Sequence, residues 1–346
     1  MTDLVLHIGL PKTGTTTLQH TLSASFAGYA GKLKGKSLHR DPAKTFSRII
    51  ASNDHDWIKQ LEDWKNNTLE NHNLISKAAK TVLISDESLT RGLQGNTSTH
   101  WPLGSSREAS SAQNPSEHLS SCLKKLRDDV WRHGRVRTIL VVRNQADWLA
   151  SLYAQQSRTI KGAGKRDFNN RIHEMMCRRD DFVDWSLWAQ NLSSALGEDN
   201  VCVLLLEDMT FPYFWEQLAF FLEGTASSYL SLMDSSKHQK KIGSIGNEKW
   251  RLRRYGGTTE KIRAWFRSTW PTEKLPISRH ISYKAITTLS KAALDPLDEG
   301  IGKRRIREKH LEMDTEIRDA IKEYCNAFNR NLAKQMKRPD LFDLGY

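Results

Sequence analysis

Cysteine is scarce in this chain of 346 residues: there are four, Cys122, Cys177, Cys202 and Cys325, far apart. No C-x-x-C pair and no Cys/His spacing suited to a metal occurs among them, which argues against a zinc module or a disulfide framework. The low count suits a reducing compartment. No run of about 18 apolar residues is present, so no transmembrane helix is expected. The N-terminus lacks a basic stretch followed by an apolar one, so no signal peptide is expected either. A soluble cytoplasmic protein is the simplest expectation. Acidic residues are the minority charge, 40 against 52 basic ones, for a formal net charge of +12. That balance favours acidic partners (nucleotides, nucleic acids, anionic sugars or membrane surfaces) without choosing among them.

What the chain does have is a supply of large apolar side chains. Eleven Trp and eleven Phe, within an apolar fraction of 38%, are enough for a core and argue against wholesale disorder. Short apolar runs at 4–10, 81–88, 137–143 and 200–209 read as strands. Helical patterns separate or follow them, at 57–64, 144–156 and 182–196. Alternating strands and helices predict an α/β fold with a mostly parallel sheet covered on both faces. A polar stretch rich in Gly and Ser at about 91–118 reads as a loop or lid. The charged tail at 303–337 is helical in pattern. With no repeat and no clear boundary, residues 1–346 are expected to form a single domain.

"HIGLPKTGTTTLQ" at 7–19 carries the first chemistry. A Walker A loop, G-x-x-x-x-G-K-[ST], has its lysine directly after the second glycine. Here Lys12 comes two residues before Gly14. The strand–turn–helix context still makes an anion site, because backbone N–H groups and the helix N-terminus point outward. Gly14 lets the backbone come close to a phosphate. Thr15 and Thr16 add hydroxyls, and Lys12 adds a full charge.

A second run, "VVRNQADWLASLYAQ", places Arg143 at a strand end and Ser151 eight residues on, in the following helix. Arg suits a phosphate because its guanidinium can bond two oxygens at once. Together the two motifs resemble the sulfotransferase superfamily, which takes its sulfuryl group from 3′-phosphoadenosine 5′-phosphosulfate (PAPS). The family's 5′-phosphosulfate loop, P-K-[ST]-G-T-T, is matched by Pro11, Lys12, Thr13, Gly14, Thr15 and Thr16, with Thr17 following. Its 3′-phosphate element, Arg then Ser eight later, is matched by Arg143 and Ser151. "VLLLEDM" at 203–209 and "AFNRNLAKQM" near the C-terminus also look like family segments. The resemblance implies a P-loop-like three-layer α/β sandwich and no requirement for a metal. It also implies release of adenosine 3′,5′-bisphosphate (PAP) as product.

In that reading Lys12 stabilises charge on the leaving phosphate, and Glu87, in "SDES" after the second strand, is the candidate base for an acceptor hydroxyl or amine. Asp86 is the alternate, disfavoured by strand alternation. Carbohydrate members often carry a glutamate near this point, so a carbohydrate or glycoconjugate acceptor is expected. His7, inside the first strand, reads as a core residue, and His100 as a surface one. Lys240, Lys241 and Ser244, in the basic stretch 237–255, are weaker candidates for the donor's 3′-phosphate. Trp101 and Trp148 are open to stacking on adenine or sugar, whereas Trp185 and Trp188, at i, i+3, read as core. The competing enzyme reading is a P-loop kinase of a small metabolite, using ATP and Mg²⁺ with Asp86 near the metal. A nucleic-acid binder is a third reading, but no matching motif stands out, so no nucleic-acid partner is expected. A binding protein that has lost catalysis is disfavoured by the presence of Lys12, Arg143 and Ser151.

Overall fold

The computed structural model describes residues 2–25, 28–31, 40–51, 56–69, 81–86, 115–157, 160, 162–223, 249–252 and 310–346. The chain divides into two compact units. The first comprises Met1–Trp148, Asp180–Gly246 and Ile321–Tyr346; the second comprises Leu149–Arg179 and Asn247–Ala320.

The first unit is built on a five-stranded parallel sheet in the order β2-β3-β1-β4-β5. Its strands are β1 (Asp3–Gly9), β2 (Tyr29–Gly31), β3 (Thr81–Asp86), β4 (Val136–Val142) and β5 (Val201–Leu205). β1 is apolar and pairs on both sides, with β3 from Asp3↔Thr81 to Ile8↔Asp86 and with β4 from Leu4↔Val136 to Gly9↔Val141. Four central β1 residues (Leu4, Val5, Leu6 and Ile8) are fully buried, as a strand covered on both faces requires.

The helices of this unit are α1 (Thr15–Ser25), α2 (Arg40–Ala51), α3 (Trp57–Asp63), α4 (Pro115–Lys125), α5 (Gln145–Gln156), which continues into the second unit, α7 (Trp185–Leu196) and α8 (Pro212–Phe221). Between α5 and α7 lies α6 (Lys165–Arg178) of the second unit. The long α9 (Thr315–Met336) starts in the second unit and ends in the first. Two neighbouring strand residues show the layering. The Ser85 hydroxyl accepts from Gln19 Nε2 of α1 at 3.2 Å, while Asp86 Oδ2 accepts from the Ser47 hydroxyl of α2 at 2.8 Å. Consecutive strand residues point to opposite faces, so α1 and α2 cover opposite faces and the architecture is a three-layer α/β sandwich.

The second unit has its own small core. Tyr153 and Phe168 meet edge to face at 5.2 Å, and the Tyr153 hydroxyl accepts from the Gly164 amide and donates to Asp167. Its two-stranded antiparallel ribbon joins Lys249–Arg251 (β6) to His310–Glu312 (β7), with a Lys249–Glu312 ion pair at 2.8 Å.

Several expectations are refined. The apolar run 200–209 is a strand only to Leu205; Leu206–Thr210 turns into a 3₁₀ segment. The polar stretch assigned to 91–118 ends earlier than expected, because Pro115–His118 already belong to α4, where Pro at the first turn is tolerated. The rest of that stretch, residues 91–114, lies outside the described residues, as does 303–309 of the tail. Cys202 is buried in the main core cluster, and burial pushes its thiol up to about 12.

His7 is a core residue, fully buried, with Nδ1 2.7 Å from the Ser85 hydroxyl. Burial holds its pKa down at about 4, so the ring is neutral near pH 7. The unfolded chain takes up this proton near pH 6.5, whereas the folded chain does so only near 4. The neutral ring therefore costs nothing above pH 6.5, and stability falls as the pH drops from there towards 4, by about 3 kcal/mol in all. Urea unfolding across this range should show a loss that His7→Asn reduces, leaving a flatter profile. A slope unchanged by the substitution counts against a buried neutral His7.

Candidate functional site

Parallel strands bring their carboxyl ends to one edge of the sheet, and crevices there form where the strand order reverses. In this sheet the chain moves from β1 to β2 and β3 on one side and then to β4 on the other. The turn after β1 therefore sits beside the carboxyl ends of both β3 and β4.

That turn, Leu10–Gly14, is built around two residues in the left-handed region, Lys12 at φ +70° and Gly14 at φ +72°. For Gly14 the conformation is easy; for Lys12 it costs about 1–2 kcal/mol, since its Cβ crowds the following carbonyl. Surrounding contacts fix the turn. The Thr13 hydroxyl donates to the Leu10 carbonyl at 2.7 Å. Trp148, on α5, donates its indole N–H to the Pro11 carbonyl at 2.7 Å. Arg143 Nη1 lies 3.5 Å from the Lys12 carbonyl, at the long end of hydrogen bonding. The α1 ladder then starts from the Gly14 carbonyl, which accepts from the amides of Thr17 and Leu18.

Gly14 is also a space requirement. A Cβ there would lie 2.4 Å from Leu206 Cδ1 and 2.9 Å from Met209 Cε, both in the segment after β5. Of the threonines, Thr13, Thr15 and Thr17 are buried and Thr16 is exposed at the start of α1. Lys12 is half-buried. The structure thus yields a narrow backbone cradle at a helix N-terminus with a lysine in it, a donor set suited to a phosphate or phosphosulfate group.

Arg143 leaves the end of β4 with its side chain 13% exposed and an ion pair to Asp147 at 3.6 Å, one helical turn on. Its position is braced by Trp185, expected only as core, and by neighbours beyond the motifs. The Trp185 indole donates to the Arg143 carbonyl at 2.9 Å. Glu207 Oε1 accepts from the Asn144 amide at 2.9 Å, and its Oε2 accepts from the Tyr346 hydroxyl at the same distance. Burial raises the Glu207 pKa against these hydrogen bonds. Asn144 Nδ2 reaches the Gly345 carbonyl, and Gln145 Nε2 donates to Asn329 Oδ1 at 2.6 Å. The β4–α5 turn is therefore fastened to the segment after β5 and to the last residues of the chain. The sequence signal for Glu207 is an acidic residue directly after the apolar run "VCVLLL"; nothing local announces the Tyr346 and Gly345 contacts.

The structure brings Lys12 and Arg143 together. Ser151 stands two turns further along α5, half-buried and within the second unit. Asp86 is engaged by Ser47 on the α2 face. Trp148 is fully buried, edge-on to Trp185 at 5.0 Å, so it offers no face to an adenine or a sugar; that expectation is corrected. Trp185 and Trp188 are core residues as expected. Glu87, His100, Trp101, Lys240, Lys241 and Ser244 lie outside the described residues. Among the described residues no helix is long and apolar enough to cross a membrane.

A family model described as a sulfotransferase domain matches residues 2–223, a span that holds the turn after β1, Arg143, Ser151 and the Leu206–Thr210 segment. The chain belongs to the sulfotransferase family. Neither the curated proteins nor the solved structures gave a match. As a member of this family the chain is a transferase of sulfuryl groups, and the kinase reading, already short of its Walker A lysine, gives way.

The sulfotransferase's Gly14 supplies a direct check. Gly14→Ala combines a left-handed backbone with a Cβ pressed on Leu206 and Met209. Denaturant unfolding should show a loss of about 1–3 kcal/mol, less if those flexible side-chain ends move aside. Unchanged stability would contradict the tight packing of the cradle.

Proposed function

We propose that this sulfotransferase moves a sulfuryl group from PAPS to a hydroxyl or amine of an acceptor that is a carbohydrate or glycoconjugate. The observation that carries the reading is the turn P-K-T-G-T-T at the end of β1, with Arg143 reaching its backbone. The residues fit the donor. The loop has the narrow, glycine-dependent backbone of an anion cradle, and Lys12 and Arg143, whose Nη1 lies 3.5 Å from the Lys12 carbonyl, supply positive charge for a dianionic end.

PAPS supplies an activated sulfuryl group on its 5′-phosphate. The chain's task is positioning and charge neutralisation, as in phosphoryl transfer. Thr13, Gly14, Thr15, Thr16 and Thr17 hold the 5′-phosphosulfate, through the backbone amides of residues 13–16 and threonine hydroxyls, while the Thr13 hydroxyl and the Thr17 amide stay on the Leu10 and Gly14 carbonyls. Lys12 neutralises the negative charge that grows on the 5′-phosphate as the sulfur–oxygen bond breaks. Arg143 and Ser151 hold the 3′-phosphate. Glu87 takes the proton of the acceptor as its oxygen or nitrogen bonds to sulfur, and PAP leaves. With lysine and amides doing the neutralising, the reading asks for no metal. The carbohydrate assignment rests on the glutamate in "SDES".

The test is PAP release from PAPS in the presence of a panel of sugars and glycosides, with ATP turnover followed in parallel. Acceptor-dependent PAP release without ATP turnover is expected, and ATP turnover alone would defeat the proposal. Lys12→Ala should lower turnover by at least about a hundredfold, the scale of a removed transition-state charge contact, with the melting temperature unchanged. Glu87→Gln should lower kcat by about a hundredfold or more while leaving the affinity for PAP intact; full activity would remove it as base.

A further inference from the structure

The costly conformation of Lys12 needs a cause, and its two flanking peptide units supply one. The orientation of the Pro11–Lys12 peptide sets φ of Lys12, and that of the Lys12–Thr13 peptide sets ψ. The carbonyl of the first accepts from Trp148 Nε1 at 2.7 Å, and the carbonyl of the second lies 3.5 Å from Arg143 Nη1. Both contacts come from one stretch, the end of β4 and the first turn of α5. Because a trans peptide is planar, a carbonyl drawn towards α5 carries its own N–H to the opposite side. The direction of the Lys12 and Thr13 amides is thus decided from β4 and α5. Conformations this uncommon persist only where the surroundings over-determine them, and they gather at working sites.

We propose that Trp148 is a positioning residue of the donor loop, whose indole N–H holds the Pro11 carbonyl and so keeps Lys12 and the loop amides turned towards the 5′-phosphate end of the donor. Trp148 touches no substrate: it is fully buried, packed on Trp185 and Phe182. The same stretch that carries Arg143 thereby also shapes the loop that carries Lys12. The inference rests on the reading of the turn as the 5′-phosphosulfate site.

The experiment uses Trp148→Phe in the full chain, which keeps an aromatic ring in the core and removes the N–H. Two probes are titrated calorimetrically: PAP and adenosine 3′-monophosphate. Their difference reports on the 5′-phosphate alone. The wild-type protein should prefer PAP. In Trp148→Phe the affinity for PAP should fall about tenfold, the scale of one hydrogen bond, while that for the 3′-monophosphate stays the same. Equal weakening of both probes, or an unchanged preference, would mean that Trp148 serves only the core, and would overturn the proposal with the donor site still standing. A wild-type protein without preference for PAP would overturn the donor site itself and this inference with it. Should Trp148→Phe fail to fold, the wild-type protein decides. The indole N–H resonance of Trp148 should shift when PAP is added and stay in place with the 3′-monophosphate. A resonance that PAP leaves unmoved would overturn the positioning role of Trp148.

Discussion

The backbone of residues 10–14 has to stay turned in a direction that it would not choose alone. Everything around the site serves that constraint. β1 delivers the turn to the edge of the sheet, α1 begins from the Gly14 carbonyl, and Leu206 and Met209 close the space that a side chain at position 14 would need. A cradle made of main-chain amides has an advantage over one made of long side chains: its donors are already oriented and little freedom is lost on binding. Its weakness is that the turn itself needs support, and the support comes from far away in sequence.

Support continues outward in a chain of polar contacts. Arg143 leans on the Lys12 carbonyl and on Asp147; the turn that carries it is held by Glu207, Trp185 and Gly345. Next to Glu207, Asp208 is almost fully buried and paired with Arg338 at 2.6 Å, and the Tyr213 hydroxyl donates to it. Buried carboxylates of this kind are costly unless satisfied. Their presence after β5 makes sense as anchorage: they fix the β4–α5 turn and the end of the chain to the same short 3₁₀ segment that packs on Gly14.

Much of this was legible in the sequence because it is local. Four of the five strands are continuous apolar runs, and the loop and the Arg143–Ser151 pair are recognisable by spacing. The parts that were not legible depend on partners remote in sequence. β2 is three residues, too short to carry a pattern, and exists through its pairing with β3. From the sequence Trp148 is open to stacking; only the fold shows it buried, with its N–H spent on a carbonyl 137 residues away. Glu207 reads as a strand-end carboxylate until Asn144 and Tyr346 are seen on either side of it.

The central claim is that the turn after β1 and Arg143 form a site for a nucleotide phosphorylated at both 3′ and 5′ positions. Calorimetric titration of the wild-type protein with PAP, against ADP and against ATP with Mg²⁺, tests it most directly, since only the first carries a 3′-phosphate. The account predicts binding of PAP well above that of either adenine nucleotide. Binding of ATP with Mg²⁺ in preference to PAP would contradict it.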